Sequence, residues 1–144
     1  MGRDTILLVE DSREDEELTK RAFKKGRIKN DIVVARDGAE ALEYIFCTGK
    51  YSSRNVDEMP QVVLLDLNLP KLDGLEVLRR IRSDARTKLL PVIILTSSRE
   101  DGDLLQGYKS GANSYIVKPV DPVQFEESIK QLGLYWLVLN ESPT

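Results

Sequence analysis

The side chains of this chain that could do chemistry sit at the ends of four apolar runs far apart in sequence: Glu10 and Asp11 after TILLV, Asp66 after VVLL, Thr96 after VIIL, and Lys118 after SYIV. Continuous runs of branched aliphatics closed by turn residues read as strands buried on both faces, the habit of parallel sheets. In such sheets the carboxyl ends share one edge, which is where ligands enter, so the four ends should converge there. Three carboxylates brought together repel and hold protons more tightly unless a cation joins them. An all-oxygen donor set without His or Cys suits a hard ion, and Mg²⁺ is the implied cofactor. Phosphoryl transfer asks for an in-line nucleophile and charge neutralisation around it. Asp66 fits the nucleophile, Mg²⁺ and Lys118 the neutralisers, and Thr96 a hydroxyl donor. The product, an acyl phosphate near water, would be labile and would suit a timed signal.

Composition narrows the field. At 144 residues the chain has the size of one domain, expected over residues 5–140 with tails at 1–4 and 141–144. Its 21 basic residues are scattered among 24 acidic ones, for a net charge of -3, so no basic stripe invites nucleic acid. No apolar run approaches the ~20 residues of a membrane span, and a soluble, cytoplasmic protein is expected. Cys47 is the sole cysteine and histidine is absent, which excludes an internal disulfide, a Cys or His metal site and any imidazole base of its own. A phosphohistidine would have to come from another molecule.

The elements that must position these groups alternate. Strand 5–9 leads into a helix capped by Ser12, with Asp15 three residues on, a buried stripe of Leu18, Ala22 and Phe23, and a stop near Gly26. Strand 32–35 and the Asp37-Gly38 cap precede a second helix with Ala41, Leu42, Ile45 and Phe46 inward. Residues 48–59 are polar and aperiodic, which predicts a surface loop or a loosely extended helix end. After the central strand, Asp73 caps a third helix carrying Leu75, Leu78 and Ile81. A fourth, with Leu104, Leu105 and Tyr108, follows strand 92–95, and the Asp121-Pro122 cap opens the last. Strand then helix, five times over, means a parallel sheet with right-handed crossovers and helices on both faces.

Four motifs in this order, the Glu10-Asp11 pair, LLDLNLPKLDG (64–74), ILTSS (94–98) and YIVKP (115–119), resemble the response-regulator receiver domains of two-component signalling over roughly residues 5–132. The resemblance implies an α/β flavodoxin-like fold with a five-stranded sheet of order 2-1-3-4-5. It also implies a phosphoprotein rather than an enzyme. Asp66 would be the phosphoacceptor, supplied by a partner histidine kinase. Glu10, Asp11, Asp66 and the backbone carbonyl of Asn68 would hold Mg²⁺, and Lys118 would pair with the phosphate. The Lys118–Pro119 bond would be cis, and Thr96 with Tyr115 would form a conformational switch. DLNLPK, the long polar loop and the aromatic end LGLYWLVLNESP resemble a narrower group, the stand-alone receivers paired with phytochrome-type histidine kinases.

Singly, each residue has a plain structural role: Glu10-Asp11 near a helix N-terminus, Asp66 in a turn, Thr96 as a cap, Lys118 as a solvated charge. Their joint occurrence at four strand ends favours the chemical reading. A Mg²⁺-dependent phosphatase with an aspartyl phosphate intermediate is the alternative, but haloacid-dehalogenase-like enzymes place a second Asp where this chain has Asn68. A flavodoxin-type module is disfavoured because EDSRED is acidic where a flavin phosphate needs bare amides. In the last helix Phe125, Ile129, Leu132 and Trp136 form one stripe, and Leu134, Tyr135, Leu137, Val138 and Leu139 widen it; such an end either folds back on its own core or offers a dimer or kinase-docking patch, and the prediction is a homodimer through it.

Overall fold

A computed structural model describes residues 5–67, 69, 72–97 and 111–132. Five strands, β1 (Thr5–Val9), β2 (Asp31–Ala35), β3 (Val62–Asp66), β4 (Val92–Thr96) and β5 (Ser114–Val117), form one parallel sheet in the order β2-β1-β3-β4-β5. The order matches the expectation. β1, β3 and β4 occupy the middle and are buried at every position, which explains why they read as unbroken apolar runs rather than alternating ones.

Successive side chains of these strands point to opposite faces, so the core is two clusters divided by the sheet. On one face Ile6, Leu8, Leu64, Ile93 and Leu95 meet α1 (Arg13–Lys25) and the last described helix, α4 (Pro122–Gln131), through Ala22, Phe23, Phe125 and Ile129. The rings of Phe23 and Phe125 lie 4.5 Å apart and clamp the two helices together. On the other face Leu7, Val63, Leu65, Val92 and Ile94 meet α2 (Gly38–Phe46) and α3 (Gly74–Ser83). Each fully buried Leu or Ile contributes roughly 1.5–3 kcal/mol, so β1, β3 and β4, which carry three of the four candidate ends, are also the best anchored strands.

All four helices among the described residues start as the sequence predicts. Ser12, Asp37, Asp73 and Asp121 each accept a hydrogen bond from the backbone N–H three residues on, and Pro122 opens α4. Gly26 caps the end of α1. Two buried stripes differ from expectation. At about 100° per residue, the inward face of α1 is centred by Glu16, Thr19, Ala22 and Phe23, which leaves Leu18 to one side and 39% exposed. The inward face of α3 is likewise set by Gly74, Val77, Leu78 and Ile81, so Leu75 stands 46% exposed. In α2, Tyr44 is buried beside Ala41 and Ile45, while Leu42 and Phe46 are half-buried at the edge.

The polar segment after α2 is pinned rather than loose. A 3-10 turn at Gly49–Tyr51 places the Tyr51 hydroxyl to donate to Glu40 Oε2 at 2.7 Å and the Tyr51 ring edge-on to Tyr44. Arg54 stacks on the Tyr44 ring at 3.9 Å and donates to the carbonyls of Tyr44 and Glu58. The predicted helix at Leu104, Leu105 and Tyr108, and the apolar end beyond Leu132, lie outside the described residues. Among the described residues no helix is long and apolar enough to cross a membrane.

Candidate functional site

The site is built at the carboxyl edge of the sheet, where the backbone of each strand end is tied to its neighbour. The N–H of Glu10 donates to Ala35 O across to β2, that of Leu67 to Leu95 O across to β4, and that of Lys118 to Thr96 O at 2.7 Å. These links fix the bases of four side chains before the side chains interact at all. Gly74 closes the loop after Asp66: a Cβ there would lie 2.5 Å from the Asp66 carbonyl, so only glycine lets α3 begin so close to the strand.

Within this frame Glu10, Asp11 and Asp66 each bring a carboxylate oxygen into a group whose members all lie within 4.8 Å of one another. Glu10 is fully buried, Asp66 is 4% exposed and Asp11 is open to solvent. Lys118 Nζ sits 2.9 Å from Glu10 Oε1 and 2.9 Å from Asp66 Oδ2. A third partner was not anticipated: Asp15 Oδ2, from the first turn of α1, is also 2.9 Å from the ammonium. The sequence signal for Asp15 was there, an acid four residues after Asp11 and so one helical turn along, but its position three after Ser12 assigned it to capping.

The electrostatics follow. Burial, and then the hydrogen bond shared with Asp66, push the Glu10 carboxyl from 4.5 up to about 7, against the pull of Lys118. Burial acts to lower the Lys118 pKa, but the carboxylates of Asp15, Asp66 and Glu10 outweigh it and hold the ammonium charged. Among the described residues Glu10 Oε1 is a buried oxygen without a hydrogen-bond donor, its contact being the ion pair with Lys118. An under-coordinated buried carboxylate oxygen facing two other carboxylates is a donor set that fits a hard divalent cation.

The remaining predicted residues are placed as follows. Thr96 ends β4, fully buried, and is in register with Val117 of β5. Tyr115 lies two residues back from Val117, opposite Ile94, half-buried, and lines a cavity of about 400 Å³ between β5 and α4. The Lys118–Pro119 peptide bond is cis. Asn68 lies outside the described residues.

Comparison with known proteins places this geometry. The response regulator receiver domain family matches residues 6–130. The solved bacteriophytochrome response regulator AtBRR is 49% identical, with 95% of this chain and 97% of that chain covered and a TM-score of 0.85. The corresponding RtBRR is 46% identical, with 98% and 84% covered and a TM-score of 0.88. Response regulator Rcp1 of Synechocystis sp. is 34% identical over 132 residues, 92% of this chain and 88% of its own length. The Mn²⁺-bound form of Rcp1 superposes with a TM-score of 0.72, at 33% identity and 97% and 99% coverage. With the 2-1-3-4-5 sheet and an acid cluster at its carboxyl edge, the chain belongs to the response regulator receiver domain family.

Proposed function

We propose that this receiver works as a stand-alone response regulator. Asp66 takes a phosphoryl group from the phosphohistidine of a partner histidine kinase, and the signal leaves by protein contacts. The observation that carries the reading is the environment of Asp66: a nearly buried carboxylate at the sheet edge, 2.9 Å from an ammonium and within 4.8 Å of two further carboxylates. In the transfer one Asp66 oxygen forms a bond to phosphorus as the P–N bond to the donor imidazole breaks. The electron pair stays on that imidazole, which the partner must supply because this chain has no histidine. Lys118 neutralises the equatorial oxygens, and burial of Asp66 keeps competing water away. Glu10, Asp11 and Asp66, with the Asn68 carbonyl, would hold Mg²⁺, which supplies screening of the two anions from each other. The Mn²⁺-bound form of Rcp1 supports a divalent ion here.

Phosphate on Asp66 draws the Thr96 hydroxyl toward it, and Tyr115 turns into the space released, changing the face offered to the next partner. Partner affinity that stayed equally phosphorylation-sensitive in Tyr115→Ala would remove this switch. The likeness to bacteriophytochrome response regulators supports a phytochrome-type kinase as the donor; a cytoplasmic setting belongs to the same proposal, and the apolar residues of the C-terminal end support a homodimer through it. Sedimentation of the chain cut after Lys130 tests the last point, since a surviving dimer removes it.

Incubation with Mg²⁺ and acetyl phosphate tests the central reading by mass. One phosphoryl group should be gained by the natural chain and none by Asp66→Asn; the same gain in the variant would falsify the assignment.

A further inference from the structure

Of the three carboxylates around Lys118, Asp15 is the one that neither the metal trio nor the phosphoacceptor role accounts for. We propose that Asp15 is a positioning residue: its carboxylate anchors the Lys118 ammonium from α1 and keeps it aimed at Asp66 while phosphate is transferred. The proposal rests on the reading of Asp66 as the acceptor.

The argument is one of competing claims on the same oxygens. A divalent ion held by Glu10, Asp11 and Asp66 takes charge from two of the three partners of Lys118, and a phosphoryl group on Asp66 makes that carboxylate an acyl phosphate. Asp15 lies outside the trio, so neither the ion nor the phosphoryl group competes with Lys118 for its carboxylate. It is also well fixed. Its backbone N–H donates to Ser12 Oγ at 3.2 Å, in the first turn of the helix that begins right after the acid pair. Lys118 is fixed at its own backbone through Thr96 O. Between these two anchors lies a flexible four-carbon stem, whose rotamer freedom returns when its head is released. With the head held by Asp15, the ammonium of a side chain only 17% exposed stays where the transferred charge develops.

Asp15→Asn keeps the shape and the backbone cap while removing the charge. Glu14→Gln is the matched control, since it removes the same charge from the same turn at an exposed position. In phosphorylation by acetyl phosphate with Mg²⁺, followed by mass, Asp15→Asn should be slowed roughly tenfold and Glu14→Gln less than about twofold. Asp15→Glu should recover part of the loss. In a Lys118→Met background, Asp15→Asn should add no further slowing, because the residue acts only through the lysine. Mg²⁺ affinity by calorimetry should be equal in Asp15→Asn and Glu14→Gln. Equal rates in those two variants overturn the proposal, as does a full effect of Asp15→Asn without the lysine. A Mg²⁺ affinity lower in Asp15→Asn than in the control overturns it too, by making Asp15 part of the metal site. If the natural chain gains no phosphate, or Asp66→Asn gains it, the acceptor reading fails first and takes the proposal with it.

Discussion

The Glu10 carboxyl carries a cost that can be measured without any phosphodonor. Its pKa rises from 4.5 to about 7 on folding, through burial first and the bond shared with Asp66 second. Between those values the folded state holds a proton that the unfolded chain has released. Stability from this group is therefore complete below about pH 4.5 and is lost as pH climbs to about 7. At about 1.4 kcal/mol per pH unit, the whole interval is worth about 3 kcal/mol, under 1 of it already lost at pH 5. Glu10→Gln has the shape of the protonated acid and escapes the loss. In EDTA its advantage over the natural chain should grow by about 2 kcal/mol between pH 5 and pH 8. For a chain of this size that is roughly 6 °C in Tm. Thermal and urea melts at both pH values read the difference. Mg²⁺ in place of EDTA should reverse the order at pH 8, because only the natural carboxylate gains a cation. In EDTA, an advantage that is the same at both pH values, or a variant less stable than the natural chain at pH 8, refutes the reasoning.

Three further outcomes follow from the packing. Arg82 donates to the carbonyls of Gly111, Lys88 and Leu90 and to Asn113 Oδ1, stapling α3 to the loops before β4 and β5. Arg82→Met should cost about 2 kcal/mol in urea unfolding with an unchanged slope. Gly74→Ala puts a Cβ 2.5 Å from the Asp66 carbonyl and 3.1 Å from Leu67. It should cost about 1–3 kcal/mol and slow phosphorylation at Asp66, and a variant that melts and reacts like the natural chain would contradict the crowding. Asp121→Ala removes the cap that accepts from Gln124 N–H and should lower stability by about 1 kcal/mol in the same melts, without changing the phosphorylation rate.

The sheet was legible because β1, β3 and β4 are dry on both sides, and a strand in that position has little choice but to be a short aliphatic run. The candidate acids at the ends of β1 and β3 were legible because a charged residue directly after such a run is costly unless it has a task. Helix caps were legible for a similar reason, since one side-chain type satisfies one orphan N–H. The frame of α1 was harder to read. Leu18 and Thr19 compete for one inward slot, and the winner is decided by Phe23 meeting Phe125, a contact 102 residues away in sequence. The ordering of the segment after α2 was harder still, because it depends on Arg54 lying over Tyr44, and a polar sequence does not announce which aromatic it covers.

Asp15 shows where such reading stops. Its place three residues after Ser12 marked it as part of a capping box, and half of that is true: its N–H does donate to Ser12 Oγ. A capping box also assigns the side chain at this position, turning it back toward the N-cap N–H, yet in this chain that N–H donates to Glu10 Oε2 instead. The Asp15 carboxylate is thereby left for Lys118, 103 residues away. Glu10 thus acts twice, as a buried member of the acid cluster and as the acceptor that frees Asp15 from its local role. On this argument Glu10→Gln, whose amide still offers an oxygen to Ser12 N–H, should leave the Asp15–Lys118 pair intact. Glu10→Ala should let Asp15 turn back to the helix and loosen Lys118. The two variants should therefore differ in the side-chain ¹⁵N signal of Lys118, which is sharp when the ammonium is held and exchange-broadened when it is not.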